Sequence, residues 1–342
     1  MTETFIDWTR RPTRKEKEQL QRRLARLEVP GLPEHLDGIN ARMRTYERPV
    51  GKLRTDGLRL RKEFVYLSDP IDGDGSDRKA PPRELRPPAT RISSSLGSAL
   101  RLELTVLALL QMRRRPGSRA RLAGLGIPIA GDSQHTGWAD LVAALPTDSN
   151  VGGIFHTSRD KRARTVRKAL ERLEAVGLVD VPADRGARNR FEDFAPLHEA
   201  GADAHGELEE YTIPGERESG VFAMPQGFIL NGWLHVLEDS EITVLLMAAC
   251  RAGAFFDQGG WAFPGEVRLR HYGIHRDPYA AARKTLEWFG LLDVEEIMRH
   301  SDGRAEHDVR RVHRIAIRRE GFEEPALHAI QETIQRQLSR RA

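Results

Sequence analysis

The sequence predicts a mainly α chain with small β-hairpins, an α+β fold in which one helical unit occurs twice. Three observations carry this expectation. Apolar and amphipathic stretches of helical period dominate the chain. Short alternating runs occur in pairs around polar turns, as strands of hairpins do. The phrase RLEAVGLVDV at 172–181 returns without gaps as TLEWFGLLDV at 285–294, with Leu, Glu, Gly, Leu, Asp and Val in register. Internal duplication outweighs any single motif.

Taken in order, residues 13–27 (TRKEKEQLQRRLARL) predict a charged helix with Leu20, Leu24 and Leu27 on one stripe, ended by Pro30 and Pro33. Residues 67–88 are rich in Pro, Gly and Asp and predict a flexible linker. Its Asp72, Asp74 and Asp77 lack the spacing and closing Glu of a calcium loop. Residues 96–112 then predict a strongly apolar helix, 138–145 a shorter one, and 158–176 a third, with Gly177 as its natural stop. A strand follows at 178–181, a basic turn at 182–190 and a returning strand at 208–214. The order then recurs. Helices are expected at 240–251, with Ser240 as N-cap and Glu241 in the first turn, at 264–271, and at 278–289 before Gly290. Strands at 291–296 and 309–318 bracket a turn holding Ser301, Asp302 and Gly303. Residues 324–341 predict a last helix, with Leu327, Ile330, Ile334 and Leu338 on a narrow face suited to the body or to a partner helix.

The boundaries that follow are an N-terminal extension at 1–95, containing the charged helix and the linker, a first unit at 96–215, a second at 216–320, and a C-terminal amphipathic helix at 321–342. Apart from the charged helix and the linker, residues 28–95 carry no pattern from which elements are read. The 342 residues exceed the roughly 100–200 of one domain, in line with two units. Net charge is only +4, from 54 basic and 50 acidic residues, so clustering of charge and not its total must point to a partner. The one cysteine, Cys250, lies in an apolar run and reads as a buried small hydrophobe. No stretch approaches the ~20 apolar residues that span a bilayer, and the N-terminus has no apolar signal core. The expectation is a cytoplasmic protein with no membrane partner.

Three helices followed by a hairpin is the order of a winged helix. The phrases VRKALERLEAVGLVDV in the first unit and ARKTLEWFGLLDV in the second resemble the recognition helix and wing of winged helix-turn-helix proteins. The two units cover roughly residues 96–320. A polar extension before two tandem winged helix-turn-helix domains is similar to plasmid replication initiators. The resemblance implies sequence-specific binding of double-stranded DNA in a bacterial replicon, as replication initiator or autoregulating transcription factor, with a homodimer among the assemblies it admits. The competing class is a non-enzymatic subunit that uses tandem winged helices for protein contacts, as in chromosome-organising complexes.

Helical geometry says which side chains would carry DNA binding. In the third helix, Val166, Ala169, Leu170, Leu173 and Val176 share a face, which sets Lys161, Arg164 and Lys168 near the opposite one and Arg167 and Arg172 at its flanks. Such cations neutralise phosphates, and an arginine can also bond guanine O6 and N7 in pairs. Thr157 or Ser158 would cap the helix at its positive end. The wing adds Arg185, Arg188 and Arg190. A solvated charged face is the plain alternative, weakened because only Asp160, Glu171 and Glu174 sit among the cations. In the second unit, Tyr279, Ala282, Leu286 and Phe289 would be buried, leaving Asp277, Ala280, Ala281 and Lys284 outward. Arg276 and Arg283 lie nearby, and the wing offers Arg299, His300 and Arg304. The alanines suit a groove and a protein interface equally. Trp233, Trp261 and Trp288 read as core.

Catalytic residues are not expected. The chain has no Walker-type phosphate loop and no HxH or HExxH motif. His271 and His275 are spaced i,i+4, but Gly273 between them argues for a turn, so neither a metal nor another cofactor is anticipated. His300, His307 and His313 read as wing residues.

Overall fold

The computed structural model describes residues 11–340 except 49–50, 52, 73–78, 95–97, 120–125, 133, 144–148, 152–153, 157, 185, 188, 203–206, 258–259 and 301–308. Only the backbone is described at 54–55, 149–151, 154–156, 257, 296–300 and 309–312. The described elements are helices joined by small antiparallel sheets, an α+β arrangement.

Helix α1 (Arg14–Leu27) opens on a capping box: the Thr13 hydroxyl accepts from the Glu16 N–H and the Glu16 carboxylate accepts from the Thr13 N–H. It ends before Pro30. Pro33 then starts a second helix, α2 (Leu32–Thr45), which buries Leu32, Leu36, Ile39 and Met43. A short α3 (Leu53–Asp56) leads into β1 (Leu58–Arg61). Strand β1 pairs antiparallel with β6 (Val221–Met224), from Leu58 opposite Met224 to Arg61 opposite Val221. The segment before residue 95 is therefore no loose extension, because Leu58, Leu60 and Phe64 are completely buried in the common core.

The flexible-linker expectation is corrected at both ends. Leu67 N–H donates to the His271 carbonyl and Ile71 N–H to the Arg270 carbonyl, each within 2.9 Å. Further on, a 3-10 turn (Arg83–Leu85) and α4 (Pro88–Ile92) bury Pro88, Ala89, Thr90 and Ile92. Apolar anchors override the loop-like composition.

Helix α5 (Ala99–Arg113) is rich in apolar residues and buried from Ala99 to Met112, apart from Arg101. The helix expected at 138–145 is only a 3-10 turn, Trp138–Asp140. Its Asp140 and Leu141 amides bond three residues back, to the Gly137 and Trp138 carbonyls, the pattern of a 3-10 turn and not of an α-helix. A small hairpin, β2 (Ser149–Val151) with β3 (Ile154–His156), precedes α6 (Ser158–Glu174). After α6, β4 (Val179–Asp180) pairs with β5 (Ala195–Pro196) and not with the expected strand at 208–214. That later stretch lies one place further out, bridging Leu197 to Glu210 and Arg119 to Thr212. The chain reverses within 182–194, so β5 takes the inner position.

The second half runs through β6, α7 (Gly227–Leu230), α8 (Trp233–Val236) and α9 (Asp239–Cys250). Glu238, not Ser240, caps α9, because its N–H reaches the Glu241 carboxylate. Strands β7 (Phe255–Asp257) and β8 (Gly260–Ala262) follow, then α10 (Gly265–Arg270), α11 (Arg276–Trp288), β9 (Leu292–His300) and β10 (Val309–Ile317). The sheet order is β7-β8-β10-β9, so the strand before α10 pairs with the strand that returns last. Helix α12 (Ala326–Ser339) packs on α1 and α8 through Ile330 and Ile334.

The duplicated phrase has one geometry in both places. Gly177 (φ +74°) donates to the Glu174 carbonyl while Leu178 donates to Leu173; Gly290 (φ +71°) donates to Glu287 while Leu291 donates to Leu286. Both are Schellman stops, which need the left-handed conformation that glycine adopts without penalty.

Candidate nucleic-acid interface

Helix α6 packs against α5 and the 138–140 turn through Ala163, Val166, Ala169, Leu170 and Leu173. On the far side Arg164 and Lys168 are exposed, and Lys161, Arg167 and Arg172 are half-buried along the flanks. Ser158 is the first residue of the helix and half-buried. Arg162, which lies on the core side of the helix, turns inward toward the Asp140 carboxylate at 3.9 Å.

Two of the expected cations make contacts within the protein. Arg172 donates to the Arg91 carbonyl at 2.7 Å, which ties α6 to α4. Arg190 is no projecting wing residue: it pairs with Glu174 on α6 and lies 4.7 Å over the Phe191 ring. The carboxylate and the ring draw it back and brace Arg190 and Phe191 against the helix. Thr157, Arg185, Arg188 and Arg304 lie outside the described residues. Arg299 stands opposite Arg310 in the β9–β10 ladder, its side chain also outside them.

Helix α11 departs further from expectation. Tyr279, Ala282, Leu286 and Phe289 are buried as its spacing requires, but so are Arg283 and Lys284, at 7% and 9% exposure. The Arg283 guanidinium lies 5.7 Å from the Tyr279 ring centre. Lys284 Nζ donates to Glu16 of α1 at 2.5 Å and sits 4.9 Å over the Trp288 ring. Beside it, Arg23 of α1 makes paired bonds to Glu241 at 2.6 and 2.8 Å, a third to the Val236 carbonyl, and covers the Phe289 ring at 4.8 Å. The Glu241 carboxylate also accepts from the Thr285 hydroxyl at 2.6 Å. That set of donors holds Glu241 below the ordinary carboxylate range against the opposing effect of burial. Helix α1 thus covers the Lys284 end of α11, with a cavity of about 650 Å3 left between α1, α9 and α11. Arg276, at the start of α11, remains exposed, as do Asp277, Ala280 and Ala281.

Three arginines that the sequence reading passed over stand beside α6. In RELRPPATR, Arg83 donates to the Arg91 carbonyl at 2.7 Å and to the Ser93 carbonyl. Arg86 donates twice to the Pro81 carbonyl, and Arg91 twice to the Arg86 carbonyl. Burial, then Arg172 and Arg86, push the Arg83 guanidinium below its usual value; burial and Arg172 do the same to Arg91. Three arginines in nine residues were the available signal, hidden by a proline content that reads as linker.

The two histidines do not form a pair, and His271 is engaged with the protein itself. His271 Nδ1 lies 2.7 Å from the Leu67 carbonyl and its ring stacks on Tyr66, while His275 is the N-cap residue of α11. Among the described residues no group of three or more His, Cys, Asp or Glu could hold a metal ion, and no helix is long and apolar enough to cross a membrane. No protein-family model, no curated protein and no solved structure matches this chain.

Proposed function

We propose that the chain is a sequence-specific double-stranded DNA-binding protein of a bacterial replicon, an initiator or an autoregulating transcription factor, built on two tandem winged helix-turn-helix units. One observation carries the reading: the side of α6 away from its core presents Arg164 and Lys168 to solvent, with Lys161 and Arg167 half-exposed beside them. A helix with that face fits the major groove, where cations neutralise phosphates and arginine can read guanine. The strand order supports the second unit. In β8-β10-β9 the strand between the first two helices pairs with the last strand, as the wing of a winged helix requires. The assignment to a bacterial replicon rests on the sequence resemblance.

The test is duplex binding across a salt series, for wild type and for Arg164→Ala with Lys168→Ala. Each phosphate that is no longer neutralised lowers the slope of log affinity against log salt by about 0.9, so the double variant is expected to give a slope shallower by about two. An unchanged slope removes α6 from the interface. The burial of Lys284 under α1 favours a second reading for the second unit alone, as a platform for contacts within the protein.

A further inference from the structure

We infer that Arg83, Arg91 and Arg172, with Arg86 beside them, form a binding site for the DNA phosphate backbone, flanking the groove that α6 enters. The inference rests on the reading of α6 as a duplex-binding helix and extends the interface into the segment before the first unit.

Position is the first argument. Arg164, Lys168 and Arg172 follow at i, i+4 and i+8, so they form one ridge along α6 with a rise of ~6 Å per step. The ridge ends where Arg172 meets the Arg91 carbonyl, and Arg83 bonds that same carbonyl. The cationic line of α6 therefore continues without a break onto the 83–91 segment.

Electrostatics is the second. All four guanidinium groups are half-buried, and among the described residues none forms an ion pair with a carboxylate. Their bonds go to main-chain carbonyls, which leave most of the five N–H donors of each guanidinium for another acceptor. Burial, then Arg172 and Arg86, disfavour the charge on Arg83, and burial and Arg172 that on Arg91, with Glu84 offsetting part of it; a phosphate oxygen relieves the rest while accepting paired bonds.

Rigidity is the third. Pro81, Pro82, Pro87 and Pro88 fix the local backbone, and Pro88, Ala89, Thr90 and Ile92 are buried. The carbonyl bonds already hold each guanidinium, so little side-chain freedom remains to be given up when a phosphate binds. The guanidinium groups are tied to main-chain carbonyls on a proline-rich backbone beside the helix, a placement suited to phosphates and not to base edges. The expected contribution is affinity without sequence preference.

The experiment measures affinity for a labelled random-sequence duplex of about three helical turns over a salt series. Wild type is compared with Arg83→Ala plus Arg91→Ala, with Arg83→Lys plus Arg91→Lys, and with Arg164→Ala plus Lys168→Ala. The alanine pair at 83 and 91 is expected to weaken binding and flatten the slope by about one to two, while the lysine pair keeps the slope. An unchanged slope in the alanine pair overturns the inference. So does a lysine pair as impaired as the alanine pair, because the arginines would then act only through their carbonyl ties. If Arg164→Ala with Lys168→Ala flattens the slope and the cluster variants do not, the cluster alone fails. If wild type shows no salt-dependent binding, the reading of α6 fails with it.

Discussion

Lys284 Nζ lies 2.5 Å from the Glu16 carboxylate, so the last side chain expected to face outward from α11 instead closes a contact with α1. Its counterpart helix α6 ends in the same glycine stop but leaves Arg164 and Lys168 in solvent. Two copies of one phrase thus keep a common frame and differ on their outer faces. The difference comes from a helix more than two hundred residues earlier in the chain.

That asymmetry separates the two helices in a binding assay. Lys284→Ala is expected to leave duplex affinity and its salt slope as in wild type, whereas Arg164→Ala with Lys168→Ala lowers both. An equal reduction in the two variants would mean that α1 leaves α11 when DNA binds.

The α1 interface has one strong element and one weak one. Arg23 and Glu241 are both buried, with side chains 7% and 2% exposed. Removing one partner strands the other charge, so Glu241→Ala is expected to cost about 3–5 kcal/mol in denaturant unfolding. The neighbouring Arg26–Glu238 pair is more than half exposed. Arg26→Ala should therefore change stability by less than about 1 kcal/mol. Similar effects in both variants would contradict this placement.

The two glycine stops predict a matched pair of effects. Gly177→Ala and Gly290→Ala each force a side chain into the left-handed region, at a cost of about 1–2 kcal/mol. Gly290 has open space around the position of a Cβ, while at Gly177 a Leu208 methyl would lie 3.0 Å away. Thermal unfolding should place Gly177→Ala at or below Gly290→Ala. Retention of full stability by either variant would exclude the Schellman geometry there.

Glu103 sits in the middle of α5 with no exposure and no hydrogen-bond partner for either carboxylate oxygen. Burial, reinforced by the nearby Glu199 charge, pushes its carboxyl well above the ordinary value of 4.5. The folded state therefore keeps a proton that the unfolded state releases above about pH 4.5. Stability from this group is complete below that pH and is lost as pH rises toward the folded value. Glu103→Met removes the linkage and is expected to stabilise the protein by about 1–3 kcal/mol at neutral pH. Melting curves at acid and neutral pH check it: the advantage of the variant should grow with pH, and an advantage independent of pH would contradict the linkage.

The legible parts of the chain were those with a strong local period. Helix α6, the α10–α11 pair and the closing hairpin follow from apolar spacing and from the two glycines. Helix α2 was equally readable from Leu32, Leu36, Ile39 and Met43, which repeat at helical spacing, but Pro30 and Pro33 drew attention as breakers. The 138–140 turn and the interposed β5 depend on main-chain bonds to distant carbonyls, which side-chain periodicity does not encode. Arg83, Arg86 and Arg91 were missed because proline-rich composition suggests a linker, while burial of Pro88, Ala89 and Ile92 fixes the segment. Lys284 was placed outward by treating the second unit alone, and Arg190 by treating the wing apart from its own helix; Glu16 and Glu174 decide otherwise.

The most direct measurement is selection of wild-type protein against random double-stranded DNA at moderate salt, with the bound pool sequenced. Sequence-specific binding through α6 predicts enrichment of one repeated or palindromic motif, abolished when Arg164 and Lys168 are both alanine. A bound pool no different from the input, with at most weak salt-sensitive retention, would contradict it.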